Sequence, residues 1–269
     1  MNPEVFREYD IRGLVDRDLN FDFVRELGQA VGTYALRHQV GTMTAGRDCR
    51  LSSESYQQAV MEGIRSTGLR VIDVGLCATS MLYYSIRHLR TGGGVMVTGS
   101  HNPPDFNGFK ICIGPDTIYG DQIQELRRIM EKGRYASGKG LLDREDITPS
   151  YAGCLEKNVR IRPGLKVVLD AGNGVGGLFA LPILRRLGCE VTDIYCDPDG
   201  RFPNHFPDPT IPENLKDLIA LVAQKKADAS GLADLLTPVT KAFSTDIGVE
   251  MSSQALQVFG GMGFVEETG

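Results

Sequence analysis

Helix-period segments alternate with short apolar runs along most of this chain, and that alternation narrows it to an α/β architecture. Phe23-Val24, Leu27, Val31 and Tyr34-Ala35 recur at helical spacing and predict a helix over 21–37. Met43-Thr44-Ala45 predicts a short strand running into the turn Gly46-Arg47-Asp48. Ser53 opens a helix through about Thr67, with Glu54 early, where the helix dipole favours a carboxylate. Residues 69–74 read as a strand stopped at Gly75, and 81–89 as a helix. Residues 94–97 and 109–113 read as strands, and 121–132 as a helix. A βαβα order of this kind predicts a mainly parallel sheet, helices on both faces and function at the strand ends.

Residues 134–148 are polar, mixed in charge and broken by Gly138 and Gly140, which predicts a linker. It separates a first domain, 1–133, from a second and incomplete α/β domain, 149–229. The pattern there predicts helix 149–158, strand 165–170, a glycine turn, helix 178–187 and strand 189–195. Residues 197–212, rich in proline and aspartate, predict a loop. Leu215, Leu218-Ile219 and Val222 then mark one face of a helix over 214–226.

Composition excludes more than it assigns. Net charge is −5 over 269 residues, so no basic field argues for nucleic acid. No run of about 18 apolar residues offers a membrane span. The start, Met1-Asn2-Pro3-Glu4, lacks the charged and apolar regions of a signal peptide, so the chain is expected to be cytoplasmic. Six cysteines are scattered without a C-x-x-C pair, which suits reduced thiols rather than disulfides or zinc.

Thr98-Gly99-Ser100-His101-Asn102-Pro103-Pro104 follows the strand run 94–97, so Ser100 stands where a strand stops and a loop begins. Two prolines stiffen the exit, and Gly99 lets the backbone approach a large anion. A serine so placed presents a nucleophilic or phosphate-carrying oxygen to a cleft. Taken alone, a serine after a strand is more often only a turn residue or cap.

Residues 98–110, TGSHNPPDFNGFK, closely resemble the phosphoserine loop of the α-D-phosphohexomutases, the phosphomannomutase/phosphoglucomutase family. Phe6-Arg7-Glu8-Tyr9-Asp10-Ile11-Arg12-Gly13 resembles that family's N-terminal F-R-x-Y-D-I-R-G. Gly46-Arg47-Asp48-Cys49-Arg50-Leu51-Ser52 resembles its G-x-D-x-R-x-S turn. The resemblance runs from residue 1 to about 229. It implies an isomerase that interconverts hexose 1- and 6-phosphates, of mannose or glucose, through a phosphoserine, with a hexose bisphosphate as activator. On this resemblance Ser100, Lys110, His101 and Arg12 are the catalytic candidates. Arg12 and Lys110 would neutralise the moving phosphoryl group, His101 and Asn102 would donate beside the serine, and Lys110 would also take a sugar hydroxyl proton. Tyr9, Asn102 and Arg47 are the substrate- or phosphate-binding candidates. The family's Mg²⁺ would meet Ser100 through its phosphate. His38 and His88 end helical stretches and read as surface residues, and His205 carries no assigned role.

Gly172, Gly174 and Gly177 satisfy G-x-G-x-x-G between a strand and a helix, with Asp193 about twenty residues on. That is a dinucleotide fingerprint. The competing reading is that V-V-L-D-A-G-N-G-V-G-G resembles the start of the mutases' second domain, where the glycines serve a tight turn and close helix packing. The serine loop upstream favours the second reading.

Past Ala229 the mutase resemblance implies a strand and a D-G-D-G-D-R loop holding Mg²⁺, but the chain reads Ser230-Gly231-Leu232-Ala233-Asp234 and has no D-x-D-x-D downstream. The stretch 232–269, with Gln257-Val258-Phe259-Gly260-Gly261-Met262-Gly263, resembles the C-terminal helical domain of acyl-CoA dehydrogenases. That region, 230–269, reads as a foreign helical tail that binds no FAD and offers a surface for self-association. The missing aspartates predict no sustained turnover by this chain alone. A non-catalytic chimeric fragment with at most weak sugar-phosphate binding is the alternative, and a dinucleotide-binding oxidoreductase a third.

Overall fold

A computed structural model of the protein describes residues 1–114 and 116–228. The tail of 230–269, its likeness to acyl-CoA dehydrogenases and any self-association through it lie outside the described residues. The first unit runs β1 (Ile11–Leu14), α1 (Phe21–Arg37), β2 (Thr42–Arg47), α2 (Ser53–Arg65), β3 (Arg70–Leu76), α3 (Thr79–His88), β4 (Gly93–Val97), β5 (Phe106–Ile113), β6 (Asp116–Thr117), α4 (Asp121–Lys132) and β7 (Leu142–Arg144). The second runs α5 (Thr148–Asn158), β8 (Lys166–Asp170), α6 (Gly176–Arg186), β9 (Glu190–Ile194) and α7 (Lys216–Asp228).

The first sheet has the order β1-β5-β4-β2-β3-β7, with β6 on β5. Strands β4, β2, β3 and β7 form its parallel body. Strand β5 turns back antiparallel between β4 and β1. The reason is chain length. Only residues 98–105 join β4 to β5, and a parallel crossover needs about a dozen residues or more. The serine loop is that short return, so it sits at the carboxyl end of β4. The turn after β2 opens at the same edge, and such edges are where open α/β sheets bind ligands.

Helices α1, α2 and α4 cover one face, where Leu27, Val31, Val60, Ile64, Leu126 and Ile129 bury against Met43, Val71, Val95 and Phe109. Helix α3 covers the other, and its cluster continues into the second unit: Met81, Leu82 and Met96 pack with Tyr151, Phe179 and Ile183. The Tyr151 hydroxyl donates to Ser80 Oγ across this junction at 3.2 Å. The second unit pairs β8 and β9 in parallel around α6. Among the described residues no helix is long and apolar enough to cross a membrane.

Within residues 134–148, the stretch expected as a linker, the backbone is bonded to the first unit. Strand β7, inside 134–148, pairs parallel with β3, and Gly138 and Gly140 donate to the Ser66 and Arg65 carbonyls at 2.9 Å. Its alternation is too short to signal a strand, and an edge strand facing solvent on one side needs little apolar content.

Helices α1 and α2 approach closely because glycine meets glycine. A Cβ at Gly63 would stand 2.1 Å from Arg25 O and 2.8 Å from Gly28 Cα. Gly63→Ala should therefore cost about 1–3 kcal/mol by overpacking. Urea denaturation should show a lower midpoint at an unchanged slope. A wild-type midpoint would mean the helices can part at no cost.

Candidate active site

Ser100 lies in the left-handed region at φ 54°, an uncommon place for a residue with a side chain. Neighbours hold it there. Its N–H donates to Thr98 Oγ1 at 2.9 Å, and Thr98 Oγ1 donates to Asp48 Oδ2 at 2.7 Å. The same carboxylate oxygen takes the Gly99 N–H at 3.3 Å. Oδ1 of Asp48 takes the Arg50 N–H at 3.0 Å and the Ser53 hydroxyl. One carboxylate at the end of β2 thus ties the serine loop to the start of α2.

Arg50 does the larger share. It is only 2% exposed, deep in the turn after β2. Nη1 donates to the carbonyls of Pro103 at 2.6 Å and Phe106 at 2.9 Å; Nη2 donates to those of Ser100 at 2.9 Å and Asn102 at 2.6 Å. Nε stands 3.3 Å from Asp48 Oδ2. Only a planar fork of donors can reach four carbonyls of one loop. Gly99 makes room for it, since a Cβ there would stand 2.5 Å from Arg50 Cζ.

Of the sequence-predicted residues, His101 puts Nδ1 3.3 Å from Ser100 Oγ. Asn102 contributes backbone: its N–H donates to Gly99 O at 3.1 Å, and its carbonyl accepts from Arg50. Arg12 on β1 stands opposite Gly108 on β5, and Lys110 stands opposite Met96 on β4. Opposed residues share a face and strand positions alternate, so Arg12, Lys110, Met96 and Thr98 belong to one face. Thr98 N–H donates to Gly108 O, which sets Arg12 about two strand spacings, roughly 10 Å, from the serine loop. Both cations meet at Asp10. Arg12 Nη2 pairs with Asp10 Oδ2, and Lys110 Nζ lies 3.9 Å from it. Tyr9 beside them is 67% exposed.

Arg47 is not with them. It faces a separate groove with Gln57, Asp73 and Arg144, its Nη2 3.6 Å from Glu54 Oε2. The two arginines of one turn divide: Arg50 goes under the loop and Arg47 outward. Charge alone carries no signal for that choice. Arg50 is the arginine of the G-x-D-x-R-x-S turn, and Gly99, directly before the serine, leaves room for a flat buried group beneath the loop.

The second unit closes the site from the other side. One cleft is lined by Thr98, Ser100 and His101 and, across it, by Asp170, Gly172 and His205. His205 Nε2 lies 3.0 and 3.2 Å from the two Asp170 oxygens, and Nδ1 lies 2.9 Å from Phe206 O. Both ring nitrogens face acceptors, which favours the imidazolium. The Asp170 hydrogen bond accordingly raises the His205 pKa above its ordinary value, against a smaller opposing effect of burial. His205 was given no role from sequence, because its partner is 35 positions away in a loop with no period.

A raised histidine pKa contributes stability fully below about pH 6.5, its unfolded value, and loses it as pH rises through the folded value. The melting temperatures of wild type and His205→Gln should therefore differ most in mild acid and converge in alkali. A gap that stays constant with pH would refute the charged pair.

The glycine motif serves packing. Gly172 takes φ 51° in the turn, and a Cβ at Gly177 would stand 1.9 Å from Cys196 O. Asp193, the would-be ribose partner, pairs with Arg185 at 2.7 Å. Among the described residues no group of three or more His, Cys, Asp or Glu could hold a metal ion. The described residues thus lack the three-aspartate set that the resemblance implies for Mg²⁺.

Comparison with known proteins bears on the whole arrangement. The family described as "Phosphoglucomutase/phosphomannomutase, alpha/beta/alpha domain I" matches residues 3–137, and its domain II counterpart matches 149–234. A phosphoglucomutase of Neisseria gonorrhoeae is 42% identical over 246 residues, which cover 88% of this chain and 53% of that protein. A phosphomannomutase/phosphoglucomutase of Pseudomonas aeruginosa is 44% identical over 229 residues, 85% of this chain and 49% of that one. The crystal structure of a phosphoglucomutase/phosphomannomutase family protein from Burkholderia thailandensis superposes with a TM-score of 0.81 at 38% identity, over 85% of this chain and 51% of its own. The chain spans about half the length of the curated relatives it matches. Two domain matches in chain order, relatives above 40% identity and a shared fold place this chain in the phosphoglucomutase/phosphomannomutase family.

Proposed function

We propose that this chain carries the nucleophile half of a hexose-phosphate mutase. Ser100 Oγ attacks a phosphoryl group of a hexose bisphosphate, the phosphorus–oxygen bond to the sugar breaks, and the phosphoserine later returns the group to C1 or C6 of a glucose or mannose phosphate. The observation that carries this reading is the pinning of Ser100 at the mouth of the cleft, backbone strained and hydroxyl beside His101. Strain of that kind gathers at functional sites. His101 Nδ1 is within reach of the proton that Oγ releases. Arg12 and Lys110 supply positive charge on the neighbouring strands, and phosphoryl transfer depends on such charge more than on covalent chemistry. Lys110 as base for the sugar hydroxyl and Tyr9 as a substrate contact belong to the same reading. Arg47, in its separate groove, is left out of it.

The test supplies glucose 1,6-bisphosphate labelled in its phosphates to the full chain. Label should appear on Ser100, no more than one per chain, and should leave again when glucose 6-phosphate or mannose 6-phosphate is added. Label on another residue, or none, would defeat the proposal. The second reading, weak sugar-phosphate binding without chemistry, draws on the lack of a metal-holding group among the described residues. It predicts saturable binding of glucose 1-phosphate with no label transferred.

A further inference from the structure

The nucleophile loop belongs to the first unit, yet the group that supports it is covered by the second. Phe202, in the loop between β9 and α7, sets its ring over the Arg50 guanidinium, 5.0 Å from ring centroid to Cζ. Arg50 in turn holds the carbonyls of Ser100, Asn102, Pro103 and Phe106. The guanidinium donors all lie in its plane, so the edge of the group is committed to the serine loop and a face remains for the ring.

The approach of that loop is built for contact. A Cβ at Gly200 would stand 2.5 Å from Cys49 O and 2.7 Å from Arg50 Cα, so the two backbones touch. The Cys49 thiol donates to Asn173 O at 3.5 Å. Asn173 braces the loop behind Phe202: Nδ2 donates to Asp197 O at 2.9 Å, its carbonyl takes the Asp199 N–H at 2.8 Å, and Oδ1 takes Asn204 Nδ2 at 2.7 Å. Phe202 itself is buried and sits at φ 51°. A large apolar residue in that region of backbone is uncommon. At one end of this contact chain is a strained phenylalanine, and at the other a strained serine.

We propose that Phe202 is a positioning residue for Ser100, acting through Arg50, so that the second unit sets the geometry of the first unit's nucleophile. A residue that merely filled space would be replaceable by any side chain of similar volume. A residue that holds a guanidinium by its face is replaceable only by another ring. The catalytic half of this inference rests on Ser100 as the phosphoryl acceptor. The structural half does not.

The experiment therefore has two readouts on the full chain. Hydrogen exchange follows the amides of Ser100, Asn102 and Phe106, which are bonded to Thr98 Oγ1, Gly99 O and Pro103 O. Phosphorylation of Ser100 by glucose 1,6-bisphosphate is timed in parallel. Phe202→Leu should speed exchange in this loop about tenfold or more and slow phosphorylation by a similar factor, with the half-saturating bisphosphate concentration unchanged. Exchange in β8 should stay at the wild-type rate. Wild-type exchange in the serine loop of Phe202→Leu would overturn the proposal. If β8 loosens as well, Phe202→Tyr decides: it keeps the ring and must restore loop protection, and its failure to do so overturns the proposal. If no chain is phosphorylated, the mutase reading falls and the exchange result alone judges the coupling.

Discussion

Ser100→Ala is expected to lose phosphate labelling by at least about a thousandfold while the chain stays folded. The oxygen that attacks is gone, and no other hydroxyl in the loop occupies its place. Ser100→Gly should lose the same activity with a different effect on stability. Ser100 is held at φ 54°, where a Cβ costs about 1–2 kcal/mol against the following carbonyl. Glycine escapes that cost but has more freedom to lose from the unfolded chain. The balance should leave the glycine variant about 1 kcal/mol more stable than the alanine variant. Equal melting curves for the two would show that the loop stores no strain at this residue. Labelling retained in either would move the phosphate acceptor elsewhere.

Arg50→Met is expected to be the most damaging single change in the described residues around the serine. It takes the guanidinium donors away from the carbonyls of Ser100, Asn102, Pro103 and Phe106, and removes the cation beside Asp48. Breaking a buried charge arrangement from one side costs about 3–5 kcal/mol. In a chain of this size each kcal/mol moves the melting temperature by roughly 2–4 °C. Arg50→Lys should fall between. It keeps the charge but offers its donors from one atom, which cannot span four carbonyls. A lysine variant as stable as wild type would mean that charge, and not the fork, holds the loop.

Much of this could be read before any coordinates. The bounds of α1 and α4 coincide with the predicted segments; α4 buries one stripe, Ile123, Leu126, Ile129 and Met130, and α1 is buried on one face before closing in on all sides over 30–35. The serine loop was legible because thirteen consecutive residues resemble one motif. What escaped notice depends on three-dimensional neighbours. The reversal of β5 is set by the length of the loop before it, not by its own composition. Strand β1 is four residues long, too brief to show a period. Arg47 was named as a candidate and Arg50 was not, although Arg50 is the arginine of the G-x-D-x-R-x-S turn; the motif marks the residue but not its burial under the serine loop. His205 and Phe202 meet the site from a loop that was recognisable only as a loop.

The order of strands in the sheet carries a consequence for how the protein is made. Strand β1 is synthesised first, yet among the described residues its ladder partner is β5, about a hundred residues later. During translation the N-terminal segment must wait without a mate while β2, β3 and β4 assemble into the body of the sheet. Contacts of such long separation form late and slowly. Arg12 rides on β1, so its charge joins the face that carries the Ser100 loop among the last pieces to arrive. A nascent chain cut off before β5 would hold β2, β3 and β4 in parallel but neither β5 nor β7, and so no seat for β1.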